Sequence, residues 1–268
     1  MTRVCVAGAT GWTGRAVAEA VLAADDLELV SAVGRRAAGQ DLGSAWDTDP
    51  LGVPVSAVVD NALDGVDVLV DFTHHDAAKQ HALTALELGV HVVIGTSGLT
   101  AADFDEIEAA ARSNGVGAMA AGNFSLTAAM AAAAALLVAP HLARREIVDY
   151  ASSAKVDAPS GTARELAERL GAVATAAPPD VAVADVAGSP EARGATIAGT
   201  QVHSVRLPGF VVSTEVVFAL PDERLVIRHD AGPTATPYVA GTLLAVRAVP
   251  RLTGLVRGLD TLLLSTGR

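Results

Sequence analysis

The 268-residue chain is poor in cysteine, lysine and aromatic residues. Its one cysteine, Cys5, can form neither an internal disulfide nor a thiolate zinc cluster, and it fits a reducing cytoplasmic setting. Aromatic residues make up 3% of the chain and the formal net charge is −11. Such a surface argues against a nucleic-acid groove or an anionic membrane as partner. A small anionic substrate stays open, because a local pocket can oppose the net charge. Long apolar runs are also missing. The longest, 126–140, is mostly alanine, ends at Pro140 and falls short of the roughly 20 residues a membrane span needs. The N-terminal residues show no basic region followed by an apolar stretch and cleavage site, so no signal peptide is expected. Disorder is excluded for most of the chain by 51% hydrophobic against 18% charged residues. Of 19 basic residues only Lys79 and Lys155 are lysine, which draws attention to each.

What is present has a clear rhythm in the first third. Short apolar runs at Arg3–Ala7, Leu27–Val33, Val66–Asp71, His91–Ile94 and Gly117–Met119 read as strands. Amphipathic stretches at Thr13–Ala23, Ala77–Leu88 and Ala102–Ser113 read as helices between them. Strands apolar on both faces that alternate with helices predict a parallel, doubly wound sheet. From about Asn123 the pattern changes. A helix over Leu126–Val138, a strand over Glu146–Tyr150 and a helix over Thr162–Leu170 precede an Ala/Pro/Asp/Gly-rich surface excursion at 173–195. Consecutive strand-like runs at Thr196–Val205, Phe210–Leu220 and Arg224–Ala231 predict a second, α+β domain with a mixed or antiparallel sheet. The tail, Tyr238–Ala248 and Leu252–Leu263, reads as helical.

Gly8-Ala9-Thr10-Gly11-Trp12-Thr13-Gly14 follows the first strand and opens the first helix. In that position glycines permit a tight turn and close approach of a pyrophosphate, whose charge meets backbone N–H groups at the helix N-terminus. The first domain is therefore Rossmann-like, with Gly8, Thr10, Gly11, Trp12, Thr13 and Gly14 as candidate cofactor contacts. The second strand ends in Val33-Gly34-Arg35-Arg36, with no acid to bind a ribose 2′-hydroxyl. Two guanidinium groups suit a 2′-phosphate. NADPH is favoured over NADH, and either Arg35 or Arg36 can make the contact.

Lys155-Val156-Asp157-Ala158-Pro159-Ser160-Gly161-Thr162-Ala163 is the most informative stretch. Thr162 with Glu165 three residues on has the pattern of a capping box. The N–H groups of Ser160, Gly161 and Thr162 would then face outward as a carboxylate site. Lys155 adds a positive charge there, and unlike arginine it can give up a proton.

This stretch resembles the K-x-D-A-P-S-G-T-A signature of the 4-hydroxy-tetrahydrodipicolinate reductase (dihydrodipicolinate reductase) family, NAD(P)H-dependent enzymes of lysine and diaminopimelate biosynthesis. Asp71-Phe72-Thr73 is similar to the family's D-F-T, Gly95-Thr96-Ser97-Gly98 to its G-T-T/S-G loop, and Asn123-Phe124-Ser125 to its N-F-S hinge. The resemblance implies a dinucleotide-binding domain from 1–122 plus 233–268, and a substrate-binding and oligomerisation domain from 123–232 that commonly builds a homotetramer. It implies Phe72, Thr73, Gly95, Thr96, Ser97, Asn123 and Phe124 along the cofactor, with Arg35 at the 2′-phosphate. It also implies Lys155 in protonation or substrate charge balance, and Gly161 and Thr162 on a substrate carboxylate, with Ser160 and Ser152 beside them.

The chain departs from the family at two places. Its histidine pair before the lysine, H-H-x-x-K, is replaced by Ala151 and Ser152, and its later G-E-H by Val212-Ser213-Thr214. Alanine is no acid, and a serine hydroxyl is a poor one at neutral pH. The reading is therefore an NADPH-dependent reductase of a small carboxylate-bearing cyclic imine. A paralogue reducing a different cyclic imine and a non-catalytic NADP-binding sensor stay open beside it. A short-chain dehydrogenase relay would need Tyr-x-x-x-Lys, whereas Tyr150 and Lys155 are one residue too far apart. His74 and His75 read as surface-loop residues, His203 and His229 as satisfied sheet residues. No His/Cys/Asp cluster shows metal-ligand spacing, so no metal is expected.

Overall fold

The computed structural model describes residues 1–265. Its elements in order are β1 (Thr2–Ala7), α1 (Trp12–Leu22), β2 (Leu27–Val33), α2 (Leu42–Ala45), β3 (Val55–Ser56), β4 (Val68–Asp71), α3 (His75–Glu87), β5 (His91–Ile94), α4 (Ala101–Ser113), β6 (Gly117–Ala120), α5 (Leu126–Val138), β7 (Arg145–Ala151), α6 (Gly161–Val173), β8 (Ala195–Ile197), β9 (Thr200–Arg206), β10 (Val212–Leu220), β11 (Glu223–Asp230), α7 (Thr236–Ala248), β12 (Gly254–Arg257) and α8 (Leu259–Ser265). The chain forms two compact units, Met1–Leu126 with Ala235–Arg268, and Thr127–Thr234. The sequence reading placed these divisions after 122 and before 233.

The first unit holds a seven-stranded sheet in the order β12-β6-β5-β4-β1-β2-β3, with every pair parallel. Its central strands are buried on both faces: all four residues of β4 and of β6 are buried, as a sheet covered by helices on each side requires. α3 and α4 bury Ala78, Ala82, Ala85, Leu86, Ile107 and Ala111 against Leu69, Val92, Ile94 and Ala118. The small alanines let the helices approach the sheet closely. α4 begins in a full capping box, Thr100 with Asp103; the Thr100 N–H and hydroxyl, with Lys79, hold the Asp103 carboxyl down at about 2. β1 and β4 are neighbours although β2 and β3 lie between them in sequence. Strand order therefore reverses at this pair, and the crevice beyond the strands' carboxyl ends is where such sheets bind ligands.

The second unit holds a five-stranded mixed sheet, β11-β10-β7-β9-β8. Only β7 and β9 run parallel; the other pairs are antiparallel. β7 buries alternate residues, Arg145, Ile147, Asp149 and Ala151. Ile147, Val202, Val216 and Phe218 pack on Ala135, Ala139, Ala163, Leu166, Ala167 and Leu170 of α5, α6 and their ends, which gives a sheet with one helix-covered face.

Three sequence expectations are corrected. The run 196–205 is not one strand but a tight hairpin, β8 and β9, turning at Ala198 and Gly199, both with positive φ. The tail 252–263 is not continuous helix. Gly254 and Gly258, both at positive φ, bracket the strand β12, which pairs with β6 and completes the parallel sheet. β12 is short and apolar, and periodicity does not separate such a run from a helix. Thr162 does not cap α6. Ser160 does, its hydroxyl accepting from Ala163 N, and the helix begins at Gly161. Ser and Thr are both good N-caps, and Ser160 wins because Asp149 pins it in place.

Candidate active site

The glycine loop is closed by sterics. A Cβ on Gly14 would lie 2.1 Å from the carbonyl oxygen of Gly8, and one on Gly8, at φ +84°, would lie 2.4 Å from that of Phe72. Only glycine fits at either place. Gly11 is the N-cap of α1, and no side chain among the described residues caps that helix, which leaves its first turn the positive, donor-rich end of a helix. Thr10, Gly11 and Trp12 are exposed. The Trp12 ring stands edge-on to Tyr238 of α7 at 5.9 Å, and Thr13 is partly buried. Glycine at Gly8 and Gly14 lets the loop close on its own backbone directly before the uncapped start of α1, a donor set that fits a dinucleotide pyrophosphate. Arg35 and Arg36, just past β2, are both exposed.

The strand-end loops of the first unit are welded together around Asp71. Its fully buried carboxylate accepts from Thr73 N at 3.0 Å, from Thr73 Oγ1 at 2.7 Å and from Thr96 Oγ1 at 2.6 Å. His81 Nδ1 lies 2.7 Å from the other oxygen. Phe72 packs edge-on to buried Phe124 at 6.0 Å, and a Cβ on Gly95 would meet the Phe72 ring at 2.1 Å. Asn123 Oδ1 accepts from Ser125 N, while Ser97 is exposed. The glycine loop, Asp71–Thr73, Gly95–Ser97 and Asn123–Phe124 thus meet at the carboxyl edge of one sheet.

In the second unit the lysine loop is held from beneath by Asp149. This buried carboxylate accepts from Ser160 N at 2.8 Å, from Ser160 Oγ at 2.6 Å and from Arg206 Nη2 at 2.7 Å. Arg206 Nη2 also donates to the Asp157 carbonyl oxygen. The Ser160 N–H therefore does not face outward as expected; it is taken by Asp149. Gly161 and Thr162 form the first turn of α6. Lys155 Nζ lies 2.8 Å from Asp157 Oδ1. The Ser152 carbonyl accepts from Lys155 N, and Ser152 Oγ from Ala154 N, so Ser152 shapes the turn that carries the lysine. Ala151 is fully buried on the helix-covered face, and the buried Thr214 hydroxyl on that face has no hydrogen-bond partner among the described residues. Asp149, Arg206 and His81 were not singled out from the sequence. Each is far along the chain from what it holds, so no local pattern marks it.

His203 Nε2 lies 2.8 Å from Glu146 Oε2. Burial lowers the His229 pKa. His74, His75 and Asp76 do come together, with potential metal-ligand atoms within 4.8 Å of one another, where no such cluster was expected. All three are exposed at the N-terminus of α3, whose positive end opposes a cation.

Two family models match the chain: dihydrodipicolinate reductase, N-terminus, over residues 2–124, and dihydrodipicolinate reductase, C-terminus, over 122–263. Among curated proteins, the 4-hydroxy-tetrahydrodipicolinate reductase of Moorella thermoacetica is 41% identical, with 97% of each chain covered. The protein of the same name from Nocardia farcinica is 37% identical over 97% of this chain and 98% of its own. A solved structure described as dipicolinate-bound dihydrodipicolinate reductase from Paenisporosarcina sp. is similar with a TM-score of 0.76 and 28% identity, covering 97% and 99%. An amine dehydrogenase from Mycobacterium smegmatis, at 18% identity and TM-score 0.63 over 95% of this chain and 94% of its own, shares the fold. With both halves matched and near-full-length relatives at this identity, the chain belongs to the dihydrodipicolinate reductase family of NAD(P)H-dependent oxidoreductases.

Proposed function

We propose that this chain is an NADPH-dependent reductase of a small cyclic imine bearing a carboxylate, acting on 4-hydroxy-tetrahydrodipicolinate as its named relatives do. The observation that carries the reading is the retained lysine loop, with Ser160 locked onto Asp149 at the start of α6 and Lys155 five residues before it. A helix N-terminus beside an ammonium group is a site for a carboxylate.

NADPH, when bound, supplies the hydride. Gly8, Gly11 and Gly14, with Thr10, Trp12 and Thr13, would hold its pyrophosphate. Arg35 or Arg36 would pair with the 2′-phosphate, which is the support for NADPH over NADH. Phe72, Thr73, Gly95, Thr96, Ser97, Asn123 and Phe124 would line its nicotinamide end. Gly161 and Thr162 bind the substrate carboxylate, with Ser160 and Ser152 fixing their loop. Lys155, through Nζ or a water it orients, gives the proton that completes reduction. A homotetramer is carried over from the resembling family, and the single buried cysteine fits a reducing cytoplasmic setting.

A second reading has its own observation. Ala151 is a buried methyl and Ser152, whose Oγ accepts from Ala154 N, offers only a hydroxyl that is a poor acid at neutral pH, so neither replaces the histidine pair of the resembling enzymes, and a different cyclic imine is the substrate. One assay separates the two: NADPH oxidation by purified protein with the dipicolinate-pathway substrate generated in situ by its synthase. Turnover of order 1–10³ per second is the expected result. NADPH binding without turnover would sink the biosynthetic assignment and favour the paralogue or the sensor.

A further inference from the structure

We propose that Asp71 and His81 form a positioning pair that sets the nicotinamide end of the cofactor site by locking the Thr73 and Thr96 loops to each other. The inference rests on the reading that these loops line the nicotinamide.

Asp71 is the last residue of β4, paired on one side with Ala7 at the end of β1 and on the other with Ile94 at the end of β5. Its side chain thus stands where strand order reverses, between the glycine loop and the Gly95–Ser97 loop. A carboxylate has only acceptors, and both oxygens of Asp71 are used. Oδ1 takes three donors, Thr73 N, Thr73 Oγ1 and Thr96 Oγ1. Thr96 Oγ1 is itself the acceptor of Thr73 N at 2.9 Å, which closes a ring of hydrogen bonds between residues 23 apart in the chain. Oδ2 is left to His81 alone among the described residues. Because the carboxylate cannot donate, His81 Nδ1 carries the hydrogen in this bond.

His81 lies in the middle of α3, beside the buried Ala78 and Ala82 that seat the helix on the sheet. It therefore fixes the carboxylate from a rigid element and not from a loop. Remove that donor and Oδ2 is a buried acceptor with no partner, which costs more than the bond itself contributes. Rotation of the carboxylate to recover a donor would break the Thr73–Thr96 ring. The loops would then lose their mutual register, while the glycine loop and the arginines past β2 make no hydrogen bond to Asp71. The consequence is selective: the nicotinamide half of the ligand is affected and the adenosine half is not.

The test uses the intact protein and two probes, NADPH and adenosine 2′,5′-bisphosphate, which lacks the nicotinamide. Affinities are read by tryptophan fluorescence, with thermal unfolding followed in parallel. His81→Leu is expected to weaken NADPH about tenfold, the size of a lost hydrogen bond to a charged group, and to leave the bisphosphate unchanged. His81→Asn, which can return an N–H near the Nδ1 position, is expected to recover most of the loss. Equal NADPH affinity in His81→Leu and wild type would overturn the pair. So would parallel weakening of both probes, which marks a merely structural role, or no recovery in His81→Asn. If His81→Leu does not fold, Thr96→Val keeps the shape, removes the hydroxyl and reads the same split, with the same results deciding. Failure of the wild type to bind NADPH would overturn the cofactor reading and the pair with it. NADPH binding without dipicolinate-pathway turnover bears on the substrate alone.

Discussion

Asp149 and Ser160 are joined twice, the serine donating both its backbone N–H at 2.8 Å and its hydroxyl at 2.6 Å to one buried carboxylate. The same hydroxyl accepts from Ala163 N and so caps α6. One strand residue thereby fixes where the helix begins, and with it which N–H groups lie in its first turn. Ser160→Ala is expected to cost about 1–2 kcal/mol. Asp149→Ala, which also strips Arg206 of its ion pair, should cost about 3 kcal/mol or more. Urea unfolding of the two variants checks the order.

Lys155→Ala is expected to abolish turnover while leaving NADPH affinity at the wild-type value. Lys155 belongs to the loop before α6, where its partners are Asp157 and the Ser152 carbonyl, and not to the glycine loop that would hold the cofactor. Steady-state rates paired with a binding titration test it; equal loss in both would contradict the assigned role.

Replacing both Arg35 and Arg36 by alanine should weaken NADPH about 10- to 100-fold, the range of one or two charge-assisted hydrogen bonds. NADH, which carries no 2′-phosphate, should be unaffected. Both arginines are exposed, so stability should change by less than about 0.5 kcal/mol. Unchanged discrimination between the two cofactors would remove the arginines from the site.

Gly14→Ala should eliminate dinucleotide binding, because its Cβ would sit 2.1 Å from a backbone oxygen of the glycine loop. Backbone cannot move aside as a flexible side chain can, and overpacking of this kind costs about 1–3 kcal/mol. Loss of NADPH binding together with a lowered unfolding midpoint is the expected pair of results.

Cys5 lies in the middle of β1 and is fully buried; desolvation pushes its thiol up to about 12, against the opposing Ser31 hydrogen bond. The native protein should resist thiol reagents at pH 8, and one thiol should react after denaturation. A raised pKa favours the neutral form in the folded state. Its contribution to stability is therefore complete below the unfolded value of 9.0 and is lost as pH rises toward 12. Alkaline unfolding of Cys5→Ala should lack that part of the slope.

The parallel sheet was legible because β1, β4 and β5 are short runs with buried apolar residues on both faces, and amphipathic helices α1, α3 and α4 alternate with the strands. The glycine loop was legible because backbone geometry, and not side-chain chemistry, dictates Gly8 and Gly14. β12 escaped for the opposite reason. Leu255 and Val256 are too few to show a period, and only the unpaired edge of β6 makes them a strand. Ser160 against Thr162 as the cap was not decided locally, since both residue types cap helices and the Thr162–Glu165 spacing matches a capping box; the arbiter, Asp149, is eleven residues away on another element.

The order of the motifs, the glycine turn, the arginines after β2 and the place of Lys155 are all readable from the chain alone, because each depends on residue type within one short segment. Tertiary structure alone decided that Asp71 would be held by His81 and Thr96, and that Asp149 would hold Ser160 and Arg206. A buried carboxylate must collect its donors from whatever the fold brings within about 3 Å, and that proximity is a property of the folded chain and of no single stretch of it.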